Sequence, residues 1–421
     1  MKYSISRIRG TYDFSPREVV SFNKIAGRAR KIFKLFGYQE LKLPILEEES
    51  LFIRGVGSTT DIVEKQMFKV VREEEKETKI VLRPEGTVQV VRYYLENFLY
   101  KKSDFHKFFY IGAMFRGERP QRGRLRQFHH LGAEAIGSKS IYLDVETIAL
   151  MIRILEEIGV KEKELKINSL GCLKDKEKLR YFLKNKLEEK KDRLCQDCQR
   201  RLKKNPLRVL DCKRETCKKE VEDLNIKEDY LCKDCLDNFK RILSLLDDLE
   251  INYIYTSALV RGLDYYTHTV FEVVSKKLGS QDALGAGGRY NHLIKDLGGP
   301  EIGAIGFALG IERILLVLEE KEKIRDTEVF VAAMPQFRED GFKLLQRLRE
   351  ENISSEIDYC DKSLKGQLRV AQKKKCRFVL ILGEEEKKER VITLKDMQKS
   401  IQKKISERDL VKVLKDYLKA C

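Results

Sequence analysis

Residues 108–137 read FFYIGAMFRGERPQRGRLRQFHHLGAEAIG, and this stretch decides the fold. Two apolar runs flank an arginine-rich segment, which predicts two antiparallel strands over 105–136 joined by a basic loop. Because side chains alternate along a strand, we expect Arg116 and Glu118 on one face of the first strand, and Glu134 beside His130 on one face of the second. A guanidinium beside carboxylates suits a bidentate contact with a phosphate or carboxylate. A solvated basic hairpin would carry the same arginines.

The composition limits the class of protein. The chain has 421 residues, too many for one hydrophobic core, which predicts two or three domains. Charged residues make up 36% of it and the net charge is +17, so a nucleic-acid partner or a lysine-rich composition bias is indicated. No apolar run approaches the roughly 18 residues of a membrane span, and the N-terminal segment has no signal-peptide core. We therefore expect a cytoplasmic protein without membrane contact.

The rest of the chain predicts mixed α and β structure. Apolar residues at helical spacing predict a long helix over 17–36. The following YQELKLPIL alternates like a strand, and Pro44 confines it to an edge or an end. Residues 67–82 predict a second hairpin around the turn REEEKETK, and the region 172–240 is helical and rich in cysteine.

The C-terminal region predicts a separate α/β domain. A charged linker at 319–327 precedes alternating strands and helices. One helix and its exit carry a cluster of cations, namely Lys362, Lys365, Arg369, Lys373, Lys374, Lys375 and Arg377. The cluster fits nucleic-acid phosphates and simple solubilising charge equally well.

Three further segments carry candidate site residues, and no glycine-rich phosphate loop is present in the sequence. In RPEGT (83–87), Glu85 and Thr87 are acceptors that suit an ammonium group, while Thr87 is also a natural cap for a helix starting at Val88. Arg313 falls in the first turn of a helix after a buried strand, where a cation opposes the helix dipole unless an anion compensates. A surface pair with Glu312 or Glu319 is the alternative.

The third segment with candidate site residues is VRGLDYYTHTVFE (260–272). Arg261, Tyr265 and Tyr266 lie in one strand-like run, and tyrosine hydroxyls can bind a small polar ligand. An ordinary strand rich in Tyr and Thr explains the same residues.

The cysteines of the region 172–240 form three pairs, 195/198, 212/217 and 232/235. In a cytosolic setting this is metal-ligand spacing, and Cys195, Cys198, Cys232 and Cys235 could together close one tetrahedral zinc site. Buried cysteines are also ordinary small apolar residues. Both interpretations stay open on spacing alone.

Taken together, these motifs resemble the class II aminoacyl-tRNA synthetases. GYQELKLP resembles motif 1 of that class, MFRGERPQRGRLRQFHHLGAE resembles motif 2, and GFALGIERI resembles motif 3. Three further segments resemble the histidyl-tRNA synthetase family, namely RPEGT, LVRGLDYYTHTVFE and AGGRYNHLI. NPLRVLDCK resembles the insertion domain of the bacterial members of that family. The resemblance implies an α+β fold with an antiparallel sheet flanked by helices. It implies a catalytic domain at 1–325 with an insertion at about 172–243, and an anticodon-binding α/β domain at 328–421.

The resemblance also implies a reaction and its partners. Histidine and ATP, with Mg²⁺, would form histidyl-adenylate and pyrophosphate, and a homodimer built around motif 1 would transfer the histidyl group to tRNA(His). Arg116 would contact the α-phosphate, Glu118 the adenine and Arg313 the γ-phosphate, while Arg261 would lie where charge develops. The implied histidine contacts are Glu85, Thr87, His130, Glu134, Arg261, Tyr265, Tyr266 and Tyr290, and the tRNA acceptor contacts are Arg119 and Gln121.

One position departs from the family pattern. Bacterial members usually have glutamine where this chain has His130, so the substrate contact there is open. A non-catalytic relative, such as the regulatory subunit of ATP phosphoribosyltransferase, and a tRNA-sensing module remain as alternatives to a ligase. The retained Arg116, Arg261 and Arg313 favour the ligase.

Overall fold

The structure is a computed structural model that describes residues 5–71, 79–279, 282–318 and 327–419. It divides into two compact units, Met1–Glu322 and Lys323–Cys421, each described here by itself. Most of the turn of the expected second hairpin (72–78) and most of the expected linker (319–326) lie outside the described residues.

The first unit is built on a large sheet with helices on both sides. Its strands are β1 (Gln39–Leu41), β2 (Leu46–Glu48), β3 (Phe68–Val70), β4 (Ile80–Leu82), β5 (His106–Phe115), β6 (Gln127–Ile136), β7 (Glu164–Ser169), β8 (Ile254–Tyr255), β9 (Thr267–Val274), β10 (Ala283–Arg289) and β11 (Ala304–Gly310). Its helices are α1 (Pro16–Leu35), α2 (Glu49–Val56), α3 (Thr87–Glu96), α4 (Ile141–Ile158), α5 (Leu173–Glu188), α6 (Gln196–Lys204), α7 (Glu215–Glu222), α8 (Lys233–Asp248), α9 (Leu293–Asp296) and α10 (Ile311–Val317).

Eight of these strands form the main sheet, in the order β1-β5-β6-β11-β10-β9-β7-β8. All inner pairs are antiparallel, and only the two end pairs, β1 with β5 and β7 with β8, are parallel. The predicted hairpin is β5–β6, paired from His106 opposite Ile136 to Phe115 opposite Gln127. The strand before Pro44 is β1, and it lies at a sheet edge as expected, since proline cannot donate to a neighbouring strand.

Alternation along the hairpin separates the two faces of the sheet. Phe109, Leu131 and Ala133 belong to the core formed with α1 and α4, whereas Phe108 and Tyr110 belong to the core on the opposite face. Helix α1 begins with a capping box between Ser15 and Glu18. The residues of this helix that face the core are Ile25, Ala26, Ala29, Ile32 and Phe33.

One detail of the predicted alternation is wrong. Strand β5 ends at Phe115, and the backbone N–H of Glu118 donates to the carbonyl of Arg116 at 2.8 Å. This tight turn breaks the two-residue period, so Glu118 does not share a strand face with Arg116.

The insertion has a small core of its own. Helices α5 to α7 surround buried residues that include Leu179, Leu183 and Cys198. Helix α8 joins this core to the main one, because Cys235 lies in the insertion core while Phe239 and Ile242 pack into the core under the sheet.

The second unit is a mixed α/β sheet domain. Its strands are β12 (Val329–Ala333), β13 (Ser355–Ile357), β14 (Phe378–Leu382), β15 (Val391–Asp396) and β16 (Ile401–Ser406), and its helices are α11 (Arg338–Glu350), α12 (Leu364–Lys373), α13 (Glu384–Glu389) and α14 (Leu410–Lys419). The strand order is β13-β12-β14-β15-β16. Among the described residues of the whole chain, no helix combines the length and apolar character needed to cross a membrane.

Candidate active site

A cavity of about 490 Å³ opens on the face of the main sheet that carries Tyr110 and Met114. Nine of the candidate histidine and ATP contacts line it: Glu85, Thr87, Arg116, Glu118, His130, Arg261, Tyr265, Tyr266 and Arg313. They come from four separate segments of the chain, so only the folded sheet brings them together. Arg119 and Gln121 are exposed at the tip of the β5–β6 hairpin and are not among the residues that line the cavity.

Three guanidinium groups on the cavity surface are oriented by neighbouring acceptors. Arg116 Nε donates to the Pro84 carbonyl at 2.9 Å, and the guanidinium carbon of Arg116 lies 5.3 Å from the ring centre of Phe128. Arg261 Nη1 donates to Glu272 Oε1 at 3.0 Å. These contacts fix the side chains while leaving other donors facing the cavity, which suits an anionic ligand.

Backbone carbonyls hold the Arg313 side chain, so it does not form the alternative surface pair with Glu312. Its Nε donates to the Gly123 carbonyl at 2.8 Å and its Nη1 to the Ala283 carbonyl at 2.6 Å. A pair with Glu312 is not formed, because Glu312 accepts from the backbone N–H and Nδ1 of His129 at 2.9 and 2.8 Å. Glu319, the other proposed partner, lies outside the described residues.

The cations of the cavity disfavour one another. Burial lowers the pKa of Arg313 to about 10, and the nearby guanidinium groups of Arg124 and Arg116 contribute to this shift. Burial likewise lowers the pKa of Arg116. A bound polyanion would relieve this mutual repulsion. Glu118 relieves part of it already, since its carboxylate pairs with Arg124.

The expected helix cap is provided by a different residue. Helix α3 begins at Thr87, and the carboxylate of Glu85 accepts from the backbone N–H groups of Thr87 and Val88 at 2.7 and 2.9 Å. The Thr87 hydroxyl is therefore free of capping and donates to Glu134 Oε1 at 2.7 Å. A carboxylate two residues before the helix reaches further into the first turn than a threonine hydroxyl at its start.

Glu134 lies at the centre of a buried hydroxyl cluster behind the cavity wall. Besides Thr87, Tyr290 donates to Oε2 at 2.6 Å and Tyr110 to Oε1 at 3.4 Å. Burial raises the pKa of Glu134 to about 8, although the hydroxyl donors oppose the shift. Tyr290, expected to line the pocket, is fully buried and is not among the lining residues, so it acts on Glu134 instead.

Tyr110 is a site residue that sequence reasoning missed. Two glycines give the signal that could have found it, since a Cβ at Gly86 or Gly132 would overlap the Tyr110 ring. Glycines on both sides of a large side chain indicate a position where the backbone must approach closely.

Five residues that line the cavity have a buried polar atom without a hydrogen-bond partner within the described chain, namely Gln66, His130, Arg208, Arg261 and Tyr265. Two of these atoms are Nδ1 of His130 and the hydroxyl of Tyr265. Burial and the surrounding arginines hold the pKa of His130 well below its usual range, so the imidazole is neutral. Buried polar groups normally find a partner, which makes these two atoms candidates for ligand contact.

The insertion supplies one wall of the cavity, which the sequence did not predict residue by residue. This insertion wall consists of Cys195, Asp197, Arg201, Arg208 and residues 211–214. Arg201 and Arg208 both donate to Asp61 Oδ2, at 2.9 and 2.7 Å, and so attach the insertion to the segment that follows α2.

The cysteines fall into two groups rather than the one predicted. Cys195 and Cys198 lie with Cys212 and Cys217, whereas Cys232 and Cys235 lie with Cys172 and Asp175. A single zinc site made of Cys195, Cys198, Cys232 and Cys235 is therefore wrong, because helix packing in the insertion joins each C-x2-C pair to a different neighbour.

The sheet carries Arg116 just after strand β5 of the hairpin and Arg313 in the first turn of helix α10. An antiparallel sheet with arginines at these two places is the architecture of class II aminoacyl-tRNA synthetases. The family model described as "Histidyl-tRNA synthetase" matches residues 10–314, and that described as "Anticodon binding domain" matches 328–417. The chain belongs to the histidyl-tRNA synthetase family.

Relatives and solved structures agree with this assignment. The chain is 43% identical over 396 residues to a histidine–tRNA ligase of Natranaerobius thermophilus (93% of this chain, 94% of that one) and 41% identical over 416 residues to one of Clostridioides difficile (97% and 99%). Apo S. aureus histidyl-tRNA synthetase has a TM-score of 0.78 at 32% identity, covering 97% of this chain and 99% of that one. An ATP phosphoribosyltransferase regulatory subunit/histidyl-tRNA synthetase of Bacillus halodurans shares the fold, with a TM-score of 0.65 at 22% identity, covering 91% and 99%.

Proposed function

We propose that the chain ligates L-histidine to tRNA(His) in two steps. A carboxylate oxygen of histidine attacks the α-phosphorus of ATP, the bond to the β-phosphate oxygen breaks, and pyrophosphate leaves. A ribose hydroxyl of the terminal tRNA adenosine then attacks the acyl carbon, and AMP leaves. The observation that carries this proposal is the convergence of Arg116, Arg261 and Arg313 on one cavity, because phosphoryl transfer depends on fixed positive charge around spreading negative charge.

The ATP end of the cavity is assigned from its charges. Arg116 would contact the α-phosphate, Arg313 the γ-phosphate and Glu118 the adenine. Mg²⁺ binds through substrate phosphates and one or two carboxylates. Glu272 and Asp282 both line this cavity and are the carboxylates that we assign to it.

The histidine end is assigned from its acceptors and its two unpartnered atoms. Glu85 and Thr87 would bind the α-amino group of histidine. Glu134 and Tyr266 would bind the two nitrogens of its imidazole ring, which would lie at the base of the cavity. His130 and Tyr265 would contact the substrate through the atoms left without partners, and Arg261 would stabilise the charge that develops. A site that hydrogen-bonds both ring nitrogens rejects analogues lacking them more strongly than an apolar pocket does.

The remaining partners are proposed on surface features. Exposed Arg119 and Gln121 would meet the tRNA acceptor end. Residues 328–421 would bind the anticodon, and residues 1–325 would form the catalytic domain. Exposed apolar side chains around motif 1, at Leu35, Ile45 and Leu46, support a homodimer there. We place the reaction in the cytoplasm, and we assign zinc to the insertion, outside the reacting groups, as argued below.

The proposal is tested by ATP–pyrophosphate exchange with each of the twenty amino acids in turn. We expect exchange with histidine alone, and a loss of about 10²-fold or more in Arg261→Gln, because one aimed donor to developing charge typically contributes this much. Arg241→Gln is the matched control, since Arg241 is an exposed residue of α8 that donates to the Tyr142 hydroxyl of α4. Well-folded protein that gives no exchange with histidine and Mg²⁺ would support the non-catalytic regulatory alternative instead.

A further inference from the structure

Four cysteines of the insertion converge from three separate elements. Cys195 is the N-cap of α6 and Cys198 lies in its first turn, Cys212 follows a short 3₁₀ segment (Pro206–Val209), and Cys217 lies in the first turn of α7. Their Sγ atoms all lie within 4.8 Å of one another, and those of Cys195 and Cys212 are 4.0 Å apart. All four cysteines are free.

This spacing matches one tetrahedral ion. Four thiolates about 2.3 Å from Zn²⁺ have sulfur atoms about 3.8 Å apart, which is close to the observed separations. A disulfide needs sulfurs about 2 Å apart, and an iron–sulfur cluster, with several metal atoms between the cysteines, needs them farther apart than they lie here.

A backbone donor and two helix starts lie at this group. The backbone N–H of Cys195 donates to Cys217 Sγ at 3.3 Å, a contact typical of the outer shell of metal-bound sulfur. Two of the cysteines sit in the first turns of α6 and α7, where the helix dipole favours negative charge.

The second group in the insertion also lies at helix starts, but one of its four members is a carboxylate instead of a thiol. Its only carboxylate, Asp175, is fully buried and already accepts from the backbone N–H groups of Cys172 and Cys232 at 3.3 and 3.0 Å. Asp175 therefore joins the start of α5 to the start of α8, and its carboxylate already has two backbone donors.

We propose that Cys195, Cys198, Cys212 and Cys217 bind one structural Zn²⁺, which fixes the insertion wall of the active-site cavity. Cys195 and Cys212 themselves line that cavity, and so do Asp211, Lys213 and Arg214 beside them. Zinc joins the two ends of the segment that carries Arg201 and Arg208, the residues that attach the insertion to Asp61. The site thus couples the fold of the insertion to the shape of the cavity.

The test measures metal content and not activity, so its result is independent of the proposed function. Full-length protein, produced with Zn²⁺ and without chelator, should hold about one zinc per chain by inductively coupled plasma mass spectrometry. Replacement by Co²⁺ should give the sulfur-to-cobalt charge-transfer and d–d absorption bands of a tetrahedral thiolate site. Wild-type protein that holds no zinc, or holds iron in its place, would overturn the proposal.

Variants then locate the ion. Cys217→Ser should lower the zinc content severalfold, whereas Cys217→His, which keeps a ligand atom, should retain most of it even if Cys217→Ser folds poorly. Cys235→Ser, in the second group, and exposed Cys360→Ser are the matched controls and should keep the wild-type content. Zinc lost from Cys235→Ser but kept in both Cys217 variants would move the site to the second group and contradict the proposal.

Discussion

At the residue scale, the site depends on a carboxyl group that is kept largely neutral. Glu134 is completely buried and receives hydroxyl donors from Thr87, Tyr110 and Tyr290. Gly306 leaves the space this requires, since a Cβ there would overlap the Glu134 carboxylate. Hydroxyl donors satisfy the acceptors but supply no positive charge, which is why burial still dominates the pKa.

The raised pKa of Glu134 predicts a pH dependence of stability. Because the folded-state pKa is about 8 and the ordinary value is 4.5, the protonated form favours the fold. This contribution is fully present below about pH 4.5 and is lost as the pH rises through about 8, with a slope of at most about 1.4 kcal/mol per pH unit. We expect Glu134→Gln, which mimics the neutral acid, to remove that slope from urea unfolding curves recorded between pH 5 and 9.

Glu162→Gln is the control for this experiment, because the Glu162 side chain is 64% exposed and pairs with Lys277 at 3.7 Å. It should leave the wild-type slope unchanged. An identical pH dependence in wild type and Glu134→Gln would show that Glu134 is ionised in the folded state.

His130 makes a second prediction at this scale. Its neutral imidazole offers one donor and one acceptor, whose positions depend on the tautomer, whereas a glutamine amide offers both without that choice. We expect His130→Gln to lower the KM for histidine by about threefold to tenfold with kcat retained, the size of one additional hydrogen bond. His292→Gln, outside the cavity wall, is the control in the same exchange assay. An unchanged KM in His130→Gln would mean that this position does not contact the substrate.

At the scale of elements, a buried ion pair joins the sheet to a helix beneath it. Arg289 at the end of β10 donates to Asp144 in the first turn of α4, with Nε at 3.1 Å from both carboxylate oxygens. The remaining donors of Arg289 contact the carbonyls of Ser138 and Ser140 at 2.7 and 2.9 Å. The glycines of β10 therefore serve packing, since a Cβ at Gly285, Gly287 or Gly288 would overlap atoms of β9 or β11 or the Tyr266 ring.

Breaking this pair should be costly. Asp144→Asn leaves a guanidinium buried without its counter-charge, so we expect the free energy of unfolding to fall by about 3–5 kcal/mol, measured by urea denaturation. Glu301→Gln is the matched control, because Glu301 pairs with Lys139 and Lys295 on the surface and should change stability by about 1 kcal/mol or less. Equal effects of the two variants would contradict a special role for the buried pair.

At the scale of the whole molecule, the net charge of +17 fits a polyanionic partner. In the second unit, Lys365, Arg369 and Lys373 are exposed at four-residue spacing along α12 and form a cationic stripe. Lys362 and Lys374 of the same cluster are instead paired with Asp358 and Glu356. The stripe is therefore the part of the cluster best placed to meet tRNA phosphates.

This arrangement predicts the salt dependence of tRNA binding. We expect Lys365→Gln with Arg369→Gln to weaken binding of labelled tRNA(His) and to reduce the slope of log K against log salt by about 1–2, since each phosphate contact contributes about 0.7–0.9. Histidine-dependent exchange without tRNA should be unchanged. Lys343→Gln with Lys399→Gln, two exposed lysines elsewhere in this unit, is the control, and an equal loss there would argue for non-specific attraction.

Much of the molecule was determined by local sequence pattern. The helix over 17–36, the edge strand before Pro44, the β5–β6 hairpin and its apolar face all follow from periodicity and turn residues, and the structure confirms them. Their prediction succeeds because each depends on residues within one or two neighbouring elements.

Only the tertiary structure decided contacts between distant segments. Periodicity could not show that Tyr110 and Tyr290 meet Glu134, that Asp61 receives Arg201 and Arg208, or that each C-x2-C pair has a different neighbour. Residues more than a hundred positions apart become neighbours through sheet order and helix packing, and those depend on the burial of the whole core. The sequence alone thus determined the elements and the chemical character of the site, while packing determined which groups are partners in it.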